Sequence, residues 1–121
     1  MMKKTVLVVD DSNTNLLMAR DALFQEYKVI TMSSAAKMFN FLERVTPDII
    51  LLDIEMPETD GYEAINRLKS NLVYKDIPVV FLSVHGDEET KNRCYELGAV
   101  DFVVKPMLKP VLLQVLDAHL P

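Results

Sequence analysis

The stretch Asp48-Ile49-Ile50-Leu51-Leu52-Asp53-Ile54-Glu55-Met56-Pro57 decides the fold of this chain. The aliphatic run Ile49 to Leu52 is too short for a helix of ordinary length and rich in branched side chains. It reads as a strand buried on both faces, the signature of a central strand in a parallel sheet. Asp53 interrupts the run, and the breakers Pro57 and Gly61 follow. Its carboxylate is therefore expected at the carboxyl edge of the sheet, where open α/β sheets bind their ligands.

Upstream of this stretch, Lys4 to Val9 holds a second short branched run, closed by Asp10-Asp11. Ser12-Asn13 supplies cap chemistry for a helix running to about Glu26, with Leu16, Ala19 and Leu23 on its inner face. Lys28 to Met32 alternates loosely and reads as a strand nearer a sheet edge. Ser33-Ser34 caps a helix through Ala35, Ala36, Phe39 and Leu42, which ends before Pro47.

Downstream, Asp60 with Glu63 three residues on opens a helix that turns Ile65 and Leu68 inward. Ile77 to Ser83 is a fourth apolar run, with Pro78 at its entering end, where a missing N–H costs least. Gly86-Asp87 leads into a charged helix with Cys94 and Leu97 inside, its charges from Asp87 to Arg93 facing solvent, and Gly98 as its C-terminal cap. Ala99 to Val104 is the fifth strand, ending in Lys105-Pro106, and a last helix spans Pro110 to Leu120 with Leu112, Val115 and Leu116 inward. Five strands alternating with five helices predict an α/β fold, a parallel sheet covered by helices on both faces.

With 121 residues, half of them hydrophobic, residues 1–121 fit one domain with a substantial core. A net charge of -5 and a pI near 4.9 argue against a direct nucleic-acid or anionic-membrane surface and point to protein partners. The single cysteine, Cys94, cannot form an internal disulfide and reads as a buried small hydrophobe. The seven methionines read as core filler. No apolar run approaches the ~20 residues of a membrane helix, and nothing at the start resembles a signal sequence, so a cytoplasmic protein is expected.

Because parallel strands share a direction, the residues that close strands one, three, four and five share one rim: Asp10-Asp11, Asp53, Ser83 and Lys105. Carboxylates gathered there repel by roughly 3 kcal/mol per pair at about 5 Å and an effective dielectric near 20. A cation is needed among them, and all-oxygen ligands suit Mg2+ better than Zn2+, which prefers His and Cys. Metal, Lys105 ammonium and Ser83 hydroxyl together would stabilise phosphoryl oxygens during in-line transfer onto Asp53.

These motifs resemble the receiver domain of bacterial two-component response regulators over essentially the whole chain. Val-Val-Asp10-Asp11, Leu-Leu-Asp53-Ile-Glu-Met-Pro57-Glu-Thr-Asp-Gly61, the strand-ending Ser83, and Asp101-Phe102-Val-Val-Lys105-Pro106 follow the family's order. The resemblance implies a flavodoxin-like sheet of order 2-1-3-4-5, the order of the family's single-domain chemotaxis member. It implies Asp53 as phospho-acceptor, Asp11 as an Mg2+ ligand, Asp10 acting directly or through water, and the Glu55 backbone carbonyl on the metal. Ser83 and Lys105 would bind phosphoryl oxygens, and a cis Lys105-Pro106 bond is implied. Phe102 matches the aromatic position that turns inward on phosphorylation. Val84 stands where the family usually has Ala or Gly and narrows access to the site. Glu55 and His85 occupy positions that tune the lifetime of the phosphoryl group in the family. The implied partners are a histidine kinase or phosphotransfer protein as donor, and a downstream protein, a fused output domain or a phosphorylation-dependent homodimer as receiver of the signal.

Two other classes compete. A metal-dependent phosphohydrolase also uses an aspartate nucleophile after a buried strand, but usually has Asp two residues on, where this chain has Glu55, and it needs room for a cap domain. A flavin-binding module on the same fold has a hydroxyl- and glycine-rich loop after its first strand. Asp10-Asp11 would repel that phosphate.

Overall fold

The computed structural model describes residues 2–121. Its elements are β1 (Thr5–Val9), α1 (Asn13–Leu23), β2 (Lys28–Met32), α2 (Ala35–Leu42), β3 (Ile49–Asp53), α3 (Gly61–Lys69), β4 (Val79–Ser83), α4 (Glu88–Glu96), β5 (Asp101–Val104) and α5 (Lys109–His119). The strands form one parallel sheet of order β2-β1-β3-β4-β5, with β3 at its centre. This is the flavodoxin-like order expected above.

The run of four aliphatic residues in β3 follows from burial on both faces. Ile50 and Leu52 join Leu7, Val9, Val79, Phe81 and Phe102 in a core under α2, α3 and α4. Ile49 and Leu51 join Val6, Val8, Val80, Leu82 and Val103 in a second core under α1 and α5. With no solvent face there is no polar alternation, so inner strands read as continuous apolar runs. In β2, at the edge, no residue is fully buried, which accounts for its mixed sequence.

Helix starts are fixed by local chemistry. Ser12, Ser34, Asp60 and Asp87 each accept a hydrogen bond from the backbone N–H three residues on. Each cap contributes about 1 kcal/mol. Just past the end of helix α4, Gly98 has a φ of +106°, and its N–H reaches the Tyr95 carbonyl while the Ala99 N–H reaches that of Cys94. Two orphan carbonyls are thereby satisfied.

Several expected boundaries and faces shift. Helix α1 ends at Leu23 rather than near Glu26, because the Glu26 and Tyr27 N–H groups both turn back onto the Leu23 carbonyl to bring Lys28 beside β1. Strand β5 begins at Asp101 rather than Ala99, whose N–H closes the α4 cap. Helix α5 starts one residue early, at Lys109, and ends at His119. The inner face of α2 is Ala35, Met38 and Leu42, leaving Ala36 exposed and Phe39 half-buried beneath the Arg67 guanidinium, 3.9 Å from its ring. Leu97 and Val115 are likewise only half-buried. Arg93 is not merely solvated but lies 4.0 Å over the Tyr62 ring. The methionines divide: Met38, Met56 and Met107 are buried, while Met2 and Met18 are exposed. Among the described residues no helix is long and apolar enough to cross a membrane.

Candidate functional site

Parallel register carries the polar strand ends to a single cleft of about 140 Å³, lined by Asp10, Asp11, Ser12, Asn15, Asp53, Glu55, Ser83, Val84 and Lys105. Among the described residues the buried polar side chains are Asp10, Asp53 and Ser83, and all three stand here. Carboxylate oxygens of Asp10, Asp11 and Asp53 lie within 4.8 Å of one another. Asp10 and Asp53 are walled in by the sheet, whereas Asp11, just past the strand, is exposed.

One ammonium serves this cluster. Lys105 Nζ lies 2.8 Å from Asp10 Oδ2 and 3.0 Å from Asp53 Oδ1, with its side chain almost wholly buried. Burial pulls the Lys105 pKa down, but the hydrogen bonds to Asp10 and Asp53 outweigh it and the net shift is upward, so it stays charged. Burial pushes the Asp53 carboxyl up to about 6, with Lys105 opposing and Asp10 and Asp11 reinforcing the rise. Three carboxylates gathered around one ammonium leave the cleft short of positive charge. A donor set made only of oxygens, with surplus charge and open on the Asp11 side, fits Mg2+. The same chemistry argues against Zn2+, since no His or Cys takes part in the cluster.

The remaining expected residues fall as follows. Ser83 Oγ, at the cleft, accepts the His85 backbone N–H at 3.0 Å. Val84 lines the cleft but is 61% exposed, so it narrows the mouth rather than the floor. Glu55 lines the cleft, but its side chain turns out to pair with His85, Oε1 to Nε2 at 3.1 Å, bridging the loops after β3 and β4. The Lys105-Pro106 bond is cis. Phe102, at the position that turns inward on phosphorylation in the family, has its ring in the core under α4 with Cys94 and Ala99. Cys94 is fully buried, and burial pushes its thiol up to about 11, so it is a packing residue.

Two residues of the site make contacts there that the sequence does not show. Asn15 donates its side-chain amide to Asp10 Oδ2 at 3.3 Å. The sequence marks Gly61 as a breaker and as the end of a family motif, and a Cβ there would lie 2.4 Å from the Asp53 carbonyl oxygen and 2.8 Å from Ile54 Cα. The Gly61 N–H donates to the Ile54 carbonyl at 2.7 Å, so α3 starts hard against the backbone that carries Asp53. Gly61 was legible as a turn glycine; its contact with Asp53 was not.

Comparison with known proteins agrees with this geometry. The family model for the response regulator receiver domain matches residues 6–117. A probable cyclic di-GMP phosphodiesterase of Vibrio cholerae is 40% identical over 116 residues, covering 96% of this chain and 26% of that protein. The phosphate regulon transcriptional regulatory protein PhoB of Pseudomonas aeruginosa is 35% identical over 107 residues, covering 88% of this chain and 47% of the relative. The chain thus spans half or less of the length of these two relatives. The chemotaxis response regulator CheY4 of Vibrio cholerae superposes with a TM-score of 0.91 at 28% identity, covering 99% of this chain and 100% of that one. Fold, rim chemistry and family model converge: the chain belongs to the response regulator receiver domain family.

Proposed function

We propose that this receiver domain takes a phosphoryl group from a phosphohistidine donor, a histidine kinase or phosphotransfer protein, onto Asp53. In that step an Asp53 carboxylate oxygen attacks phosphorus, the N–P bond of the donor breaks, and the imidazole leaves. Only the ionised carboxylate is a nucleophile, and a pKa of about 6 leaves Asp53 largely ionised at neutral pH. Lys105 and Ser83, both at the cleft, are the groups to hold the phosphoryl oxygens. Asp10, Asp11, Asp53 and the Glu55 carbonyl are the set to hold Mg2+, which when bound supplies the positive charge that phosphoryl oxygens need. The family is one of signalling modules, not of catalytic enzymes, and the phosphohydrolase alternative is set aside on that ground.

The signal follows from what a phosphoryl group adds, about 1.5 to 2 negative charges and three acceptor oxygens. Drawing the Ser83 hydroxyl toward it takes Oγ from the His85 N–H and so loosens the start of the loop into α4. With Phe102 already inside, the switch reads out through that loop and the packing around the ring rather than through a large rotation. We place the output contact on the face of α4, β5 and α5, where Tyr95, Val104 and Val111 are exposed. A downstream protein, a fused output domain or a second copy would dock there, in the cytoplasm where the phosphodonor works.

The observation that carries this reading is the buried Asp53 at the end of the central strand, in the cleft and bonded to Lys105. Incubation with Mg2+ and a cognate phosphohistidine donor should give one acid-stable, base-labile acyl phosphate. Mass mapping should place it on Asp53, and Asp53→Asn should stay unlabelled. A group mapped to Ser83 or His85 would overturn the assignment.

A further inference from the structure

Asp10 is completely buried, and both of its carboxylate oxygens are engaged. Oδ1 accepts the Ser12 backbone N–H at 2.9 Å. Oδ2 is shared between Lys105 Nζ at 2.8 Å and Asn15 Nδ2 at 3.3 Å. The Asn15 amide must present its nitrogen here, because its oxygen would face another acceptor. Its backbone is held in turn, with its N–H on the capping Ser12 Oγ in the first turn of α1. A half-buried side chain that lines the cleft is thus aimed at the oxygen Lys105 must leave in order to reach a phosphoryl group.

We propose that Asn15 is a positioning residue that takes over Asp10 Oδ2 when Lys105 turns to the phosphoryl group. The inference rests on Asp53 being the phospho-acceptor and deepens that reading. Before phosphorylation the ammonium bridges Asp10 and Asp53, and a buried carboxylate deprived of its charged donor is costly to leave half-satisfied. At 3.3 Å the Asn15 bond is longer than the usual mode of about 2.9 to 3.0 Å, so it has room to shorten as the ammonium withdraws. Asp10 then keeps its charge and position, and Lys105 is released at less cost. Asn15 acts through Asp10 and needs no contact with phosphorus.

The split between resting and loaded states makes this testable. Asn15 touches Asp10, one of the residues set to hold Mg2+, so Asn15→Ala should weaken Mg2+ binding, but by about threefold at most because Asp10 keeps Ser12 and Lys105. Affinity for beryllofluoride in the presence of Mg2+, a phosphoryl stand-in on Asp53, should fall roughly tenfold, as loss of one hydrogen bond to a charged group gives. Both are read by backbone amide titrations, whose unperturbed dispersion reports that the variant is folded. Asn15→Leu, which keeps the volume and removes the donor, should behave alike. Equal losses of Mg2+ and beryllofluoride affinity, or no loss of either, would overturn the proposal. Failure of the wild-type chain to take beryllofluoride at all would instead sink the acceptor assignment on which it rests.

Discussion

The two rims of the sheet use the same kinds of side chain to opposite ends. At the amino ends of the strands, charges serve the backbone: Asp48 Oδ2 accepts the Thr5 N–H at 2.7 Å, and Lys69 Nζ donates to the Lys75 and Ile77 carbonyls at 3.0 Å each. Such charges are satisfied in one conformation and want nothing further. At the carboxyl ends, three carboxylates are set against one another around a single ammonium, two of them out of water. That rim is left with negative charge to neutralise, which a cation such as Mg2+ would supply. A polar strand end therefore signals function only when its neighbours leave it unsatisfied.

The comparison is broken most directly at the exposed acid of the carboxyl rim. Asp11→Ala should lower Mg2+ affinity and phosphorylation of Asp53 by about 100-fold or more, the upper end of what loss of a metal ligand or its support gives. Undiminished labelling by a cognate donor would show that the cluster is not the metal site. Next in size is Gly61→Ala, whose added methyl meets backbone rather than a yielding side chain. A loss of about 3 kcal/mol in urea unfolding is expected, with a displaced Asp53 and slower phosphorylation. An unchanged midpoint would mean that α3 can back away freely.

The surplus charge at the carboxyl rim also has a pH signature. With the Asp53 pKa raised from 3.8 to about 6, the fold favours the protonated acid. Its contribution to stability is therefore complete below about pH 4 and lost as pH rises through 6. Without Mg2+, Asp53→Asn, which stays neutral, should exceed wild type by about 3 kcal/mol at pH 7.5, the gap closing below about pH 4. A gap independent of pH would remove burial of the carboxylate as its cause.

The amino rim should respond in stability alone. Lys69→Met keeps most of the apolar stem and loses the two carbonyl bonds, so a cost of about 1 kcal/mol is expected with phosphorylation unchanged. Coupling to phosphorylation there would erase the distinction between the rims. The smallest effect belongs to Glu58, in the loop between Asp53 and α3, which holds a φ of +68° that suits glycine. Glu58→Gly should stabilise the fold by about 0.5 to 1 kcal/mol in the same unfolding assay; a loss would mean that the Glu58 side chain holds the loop.

What the sequence determined by itself was the part of the fold written in local signals. Apolar runs marked the strands, with β3 as a central one. Ser12, Ser34, Asp60 and Asp87 marked helix starts, and Gly98 a helix end, because caps and backbone conformations act within a few residues. Given parallel strands, the rim residues Asp10, Asp11, Asp53, Ser83 and Lys105 followed, since direction alone carries every strand end to one side. Tertiary structure decided what depends on distance across the chain. The order of strands, read in advance only through the family resemblance, is a matter of which faces pack. The inward ring of Phe102, the Glu55–His85 bridge, the approach of Gly61 to the Asp53 carbonyl and the aim of Asn15 at Asp10 each join residues whose spacing carries no period. They are fixed to tenths of an ångström by how helices settle on the sheet, and no propensity of a single residue encodes that.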